Sequence, residues 1–132
     1  KEPSVSAVLL FRKVTDPKRH GVPTLEKINN KKFLVKKVIE KPNRPASNLG
    51  LMPIYYFKST IFEKLKKIKP GKGNEYQLTD AIQQLILDGE KVLAIPLLAN
   101  EKVLDVGTVE SYRDAQTNSF KLAWFLILVF RI

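Results

Sequence analysis

The spacing of the apolar residues changes along this chain, and that change restricts its fold more than any other feature. Ser4 to Phe11 (SVSAVLLF), Leu51 to Phe57 (LMPIYYF) and Lys91 to Leu98 are short runs rich in β-branched or aromatic residues and bounded by polar turns, the pattern of strands. Val22 to Glu26 and Phe33 to Glu40 flank Asn29-Asn30, which predicts a hairpin. Lys102 to Val106 reads as one more strand. Between these runs the period changes. Thr60 to Glu63 fits a capping box, and Ile61, Phe62, Leu65 and Ile68 follow at helical spacing. Ala81, Ile82, Leu85 and Ile86 make the stripe of a second helix from about Thr79 to Asp88, with Gly89 where a C-terminal cap is wanted. Thr108 is placed to cap a last helix through Ala115. Strands interleaved with helices predict an α/β fold, a mixed sheet with flanking helices. Pro53 cannot donate to a ladder, so its strand is expected at an edge or at a bulge.

Composition narrows the class. With 132 residues, 44% hydrophobic and 27% charged, the chain fits a folded globular domain rather than a disordered one. Leu122 to Phe130 is an unbroken apolar run. It is far below the ~20 residues needed to span a bilayer, so no membrane span is expected. A buried strand or helix segment accounts for it, as does a sticky interface for a missing partner or a non-native terminus. Residues 118–132 are therefore set apart as an apolar tail, and 1–117 as the main part. No signal peptide is expected, and the absence of Cys among these 132 residues excludes disulfides and thiolate zinc sites within them. The chain opens at Lys1 and its one Met is Met52, so a piece of a longer product is expected.

The net charge of +10 comes from 23 basic residues, of which five are Arg. Lys acts as a solvated point charge, whereas Arg is the usual reader of bases. The lysines are scattered, and no zinc-finger, RNP or helix-turn-helix pattern accompanies them, so no nucleic-acid partner is expected. The scattered lysines fit solvated faces, and of the anions such a charge attracts, small phosphorylated ligands are favoured by the motifs that follow.

Four stretches are odd for a plain core. In Asp16-Pro17-Lys18-Arg19-His20-Gly21-Val22 a glycine after a tight turn lets backbone N–H groups approach a ligand; it also fits a simple turn. The lone His20 has neither Cys nor a second His beside it, and is not expected to be a metal ligand or triad base. Glu40-Lys41-Pro42 ends a strand; alternation would send the carboxylate and the ammonium to opposite faces. The carboxylate suits hydroxyls and the ammonium a phosphate. Glu75 to Asp80 (EYQLTD) precedes a helix; capping explains Thr79 and Asp80 but not Glu75 and Gln77. In Val103 to Thr108 (VLDVGT) an acid closes an apolar run before a glycine and a helix, a position from which Asp105 could hold a Mg²⁺ on a phosphate or merely favour the helix start.

In order and spacing these stretches, with SNLGLMPIYYF and KPGKGNEYQLTDAI, resemble the C-terminal half of the sugar-1-phosphate nucleotidylyltransferases, the glucose-1-phosphate thymidylyl- and uridylyltransferases. The resemblance covers about Val5 to Ala115. It implies part of a Rossmann-like nucleotide-diphospho-sugar transferase fold, in the cytoplasm; the exposed edges of half a sheet favour association, so an oligomer is expected. The implied reaction joins a nucleoside triphosphate and a sugar-1-phosphate into a dTDP- or UDP-glucose type product and pyrophosphate. It implies that Gly21 offers its N–H to the sugar, Glu40 holds sugar hydroxyls, and Lys41 contacts the sugar phosphate as the catalytic cation. Leu51 and Tyr55 would line the sugar pocket, and Asp105 would bind Mg²⁺. The family's glycine-rich triphosphate loop and second metal-binding aspartate are absent from this sequence. His20 stands where Tyr is common, Pro53 where Gly is, and Val103 where Trp is. The nucleoside triphosphate is thus expected as a partner only with the missing N-terminal half supplied, and the isolated chain is expected to be inactive. The alternative is a non-catalytic subunit or relic that associates through strand edges and the apolar tail.

Overall fold

Strand β1 (Val5–Lys13) lies inside the sheet, with a parallel neighbour on one side and an antiparallel one on the other. The computed structural model describes residues 4–98, 101, 103, 104 and 106–129. They fall into two compact units, Lys1–Leu98 and Ala99–Ile132.

In the first unit, β2 (Gly21–Lys27), β3 (Phe33–Glu40), β4 (Leu49–Phe57) and β5 (Lys91–Pro96) join β1 in the order β2-β3-β5-β1-β4. β1 and β5 run parallel and the other pairs antiparallel, so the sheet is mixed. The expected hairpin joins β2 to β3: the amides of Ile28 and Asn29 both donate to the Lys32 carbonyl, and the Asn29 side chain accepts from the Lys31 amide. Pro53 satisfies both alternatives raised by its missing donor. β4 is a marginal strand, and Leu10 faces Met52 while Leu9 faces Tyr55, so Pro53 and Ile54 form a two-residue bulge. Because two residues are inserted, Leu51 and Tyr55 stay on one face.

Helices α1 (Thr60–Leu65) and α2 (Leu78–Leu87) supply Ile61, Ala81, Ile82 and Leu85 to the core. They meet the face formed by Ala7, Leu9, Phe11, Val35, Val38, Leu51, Val92 and Ala94. Phe11 and Phe33 meet edge to face with centroids 5.3 Å apart. Helix α2 ends in a Schellman motif: the Gly89 amide donates to Ile86 O and the Glu90 amide to Leu85 O, with Gly89 at φ +77°. The capping box expected at Thr60 does not form. Thr60 donates instead to Glu90 at 3.3 Å, and Glu63 pairs with Lys66 at 2.8 Å.

In the second unit, α3 (Val109–Val129) begins where Thr108 was expected to cap it. The Ser111 amide donates to Thr108 Oγ1, and the Thr108 amide donates to Ser111 Oγ. The helix does not stop near Ala115 but passes the expected boundary between residues 117 and 118. Thr117 and Asn118, which favour turns, lie inside the helix, where their side chains donate to the carbonyls of Arg113 and Asp114. Among the described residues no helix is long and apolar enough to cross a membrane. Of Lys102 to Val106, expected as a strand, Lys102 and Asp105 lie outside the described residues, and Val103, Leu104 and Val106 are irregular, with no ladder partner among the described residues. A short apolar run becomes a strand only when another strand pairs with it.

Candidate functional site

The site grows from the way two chain segments return beside each other. Asp16 starts a tight 3-10 turn (Pro17–Arg19) by accepting the Lys18 amide on its side chain, and β2 begins at Gly21. At the other end of the hairpin, Gly21 lies directly opposite Glu40, the last residue of β3. Immediately beyond, the Lys41 amide donates to the His20 carbonyl at 2.9 Å. Lys41 has φ +40°, a left-handed conformation that only a few per cent of non-glycine residues adopt. This turn takes Lys41 out of strand alternation. Its ammonium therefore lies 3.8 Å from Glu40 Oε1 instead of on the opposite face, as alternation had suggested.

The Glu40 side chain is 15% exposed. The hydroxyl of Thr79, in the first turn of α2, donates to its Oε2 at 2.9 Å. A hydrogen bond to a charged group contributes about 1.5–3 kcal/mol. Gly21 fits against the same pair. A Cβ there would stand 2.9 Å from Thr79 Cγ2, 3.2 Å from Glu40 Oε2 and 3.3 Å from Leu51 Cδ1. The starts of β2 and β4, though not sheet neighbours, thus meet at this point. Gly50 is equally constrained, since a Cβ on it would lie 2.6 Å from the His20 ring and 2.9 Å from Val14 Cγ1. Tyr55, half-buried, stacks with Phe57 at 5.6 Å. Burial pushes its phenol pKa up, and the negative charge of Glu40 adds to that shift.

Five of the six residues singled out in the sequence, Gly21, Glu40, Lys41, Leu51 and Tyr55, therefore belong to one corner of the sheet. Asp105 lies outside the described residues. Two residues were not singled out. Thr79 looked like a helix cap, but Gln77 takes the N-cap position and the Thr79 hydroxyl serves Glu40. The signal was its place after Glu75 and Gln77, which capping did not explain. Gly50 had no signal beyond being a glycine just before an expected strand, which the structure extends back to Leu49. Two open clefts lie elsewhere. One, about 560 Å³, lies along Leu34, Ile86 and Leu87, and the other, about 380 Å³, lies between Lys67 to Gly71 and Asp80 to Gln84.

Corresponding sequences and folds occur in known proteins. The chain is 32% identical over 117 residues to the bifunctional protein GlmU of Methanococcus aeolicus, covering 89% of this chain and 27% of that protein. It is 34% identical over 94 residues to a putative UTP–glucose-1-phosphate uridylyltransferase of Methanocaldococcus jannaschii, covering 70% of this chain and 32% of that one. The chain thus spans about a third or less of these relatives. A crystal structure of UDP-glucose pyrophosphorylase complexed with UDP-glucose superimposes with a TM-score of 0.78 at 30% identity, over 88% of this chain and 44% of that one. The Rossmann-like α/β class expected from the sequence is the class found. The model of the nucleotidyl transferase family matches residues 1–121, nearly the whole length, and the chain belongs to that family.

Proposed function

We propose that residues 1–117 are the sugar-phosphate-binding part of a sugar-1-phosphate nucleotidylyltransferase that makes a UDP- or dTDP-glucose type nucleotide sugar. The observation that supports this best is the Glu40 carboxylate, fixed by Thr79, beside the Lys41 ammonium and over Gly21. An ionised carboxylate only accepts hydrogen bonds, so it suits the hydroxyls of a sugar. The ammonium suits the phosphate, and Leu51 and Tyr55 give an apolar wall for the ring.

In the reaction a sugar-1-phosphate oxygen attacks the α-phosphorus of the nucleoside triphosphate and pyrophosphate leaves. Two anions must meet, so positioning and charge neutralisation dominate the barrier. Lys41 would offset the sugar-phosphate charge while Glu40 and the Gly21 N–H orient the sugar. Mg²⁺, which would neutralise triphosphate charge, takes about six oxygen ligands. Among the described residues no group of three or more His, Asp or Glu could hold a metal. By the family resemblance the chain would contribute Asp105 to that ion, and the family's second metal-binding aspartate would come from the nucleotide-binding half. These 132 residues carry no glycine-rich triphosphate loop, so turnover is expected only with a nucleotide-binding half supplied.

Titrating the chain with glucose-1-phosphate, UDP-glucose and inorganic phosphate by heteronuclear NMR tests the proposal. Saturable shifts at Gly21, Glu40 and Lys41 are expected with the sugar ligands, weaker ones with phosphate, and loss of both in Glu40→Gln and Lys41→Met. Sugar-ligand shifts that survive both substitutions, or none at millimolar ligand, would refute it.

A further inference from the structure

β3 loses its strand neighbour part-way along. It pairs with β5 at two positions, Phe33 with Ala94 and Leu34 with Leu93. Next comes a bulge against β2, where Leu25 faces Val35 but Thr24 faces Lys37. Beyond it, among the described residues no strand pairs with the β3 amides that point away from β2. Val38 is one of them. It is 4% exposed and lies opposite Pro23, which has no N–H to exchange. A buried amide without a partner is costly. The Val38 amide donates to Oε1 of Gln83, on α2, at 2.8 Å.

Two residues further along the same strand face is Glu40, whose carboxylate is held by Thr79. Thr79 and Gln83 are four residues apart and share one face of α2. Side chains of α2 therefore make one hydrogen bond to the β3 backbone and one to the Glu40 side chain. We infer that Gln83 is a positioning residue for Glu40: by accepting the Val38 amide it fixes the end of β3 against α2, so that the Thr79–Glu40 bond forms where a sugar ligand meets the carboxylate. The ligand part of this inference rests on the proposed sugar-phosphate function; the positioning part does not.

The experiment uses the full 132-residue chain. Gln83→Met keeps the length but lacks the oxygen acceptor, and Gln83→Glu keeps an acceptor. Amide exchange at Val38, the ¹³C signal of the Glu40 carboxyl and the glucose-1-phosphate affinity are read together. Gln83→Met is expected to speed Val38 exchange, move the Glu40 signal, and weaken affinity by about threefold to tenfold, the range for one net hydrogen bond. Gln83→Glu is expected to restore all three. Faster Val38 exchange with the Glu40 signal and affinity unchanged would overturn the inference, leaving Gln83 as an edge-closing contact. If the unsubstituted chain binds no glucose-1-phosphate, the proposed function fails, and the Glu40 signal still decides the positioning role. Should Gln83→Met not fold, Gln83→Asn, which keeps the amide but shortens its reach, gives the same readouts with the same expected directions.

Discussion

Replacing Gly21 by alanine adds one methyl group where three neighbours converge. The new Cβ would sit 2.9 Å from Thr79 Cγ2, 3.2 Å from Glu40 Oε2 and 3.3 Å from Leu51 Cδ1. The first distance requires movement. Thr79 is buried and β-branched, so its methyl swings away only if χ1 rotates, and that rotation takes the hydroxyl off Glu40. Keeping the rotamer instead forces α2 away from β2. Overpacking of this kind costs about 1–3 kcal/mol. For a unit of this size each kcal/mol lowers Tm by about 4–8 °C, so a fall of roughly 5–20 °C is expected. Gly107→Ala is the control, since nothing lies within 4 Å of its added Cβ. Thermal unfolding followed by circular dichroism, with calorimetry on the same samples, measures both. A Gly21→Ala melting point within about 2 °C of the parent would show that the contact relaxes at no cost and refute the reasoning.

Thr79→Val keeps shape but removes the donor to Glu40. A glucose-1-phosphate affinity lower by at least about tenfold is expected from the loss of a hydrogen bond to a charged group, with Thr79→Ser close to the parent; calorimetric titration compares the three. A second prediction concerns pH. Lys64 contacts both Asp88 and Glu90. Its hydrogen bond and charge hold the Asp88 carboxyl below the ordinary 3.8. Burial pushes Glu90 up, but hydrogen bonds from Ser6, Lys64 and Thr60 outweigh it and hold that carboxyl below 4.5. Chiefly through the Asp88 hydrogen bond, Lys64 is held above 10.5. Depressed carboxylates stabilise the fold above their unfolded values, and that contribution fades as pH falls through the folded values; the raised lysine contributes below 10.5 and fades as pH rises. Urea midpoints should therefore fall on the acid side of about pH 4.5, and Lys64→Met should flatten that slope; an unchanged slope would count against the cluster.

What could be read from the residues was mostly local. Asn29-Asn30 fixes a hairpin because a side-chain amide closes the turn on itself. Pro53 announces an edge and a bulge because a missing donor has few other places to go. Gly89 marks the end of α2 because the left-handed cap favours glycine. The failures were of another kind. Thr60 had a box partner in sequence but a better one in Glu90, thirty residues away. Thr79 was ambiguous because a cap and a donor to a distant carboxylate use the same hydroxyl. The place of β5 between β3 and β1 follows from pairing across long separations, which no short window records. For the site, residue types pointed to the corner, but the left-handed turn at Lys41 that brings its ammonium beside Glu40 had no local sign.

Both marginal strands of the five-stranded sheet carry a proline in mid-run, Pro23 in β2 and Pro53 in β4. Pro23 lies opposite Val38, whose amide points away from β2, so its missing donor is on the open side of the sheet. Fibril growth needs an uninterrupted row of donors and acceptors at the template edge. Neither margin offers one. The two outer strands described over residues 4–98 are thus poor templates for edge-to-edge fibril growth.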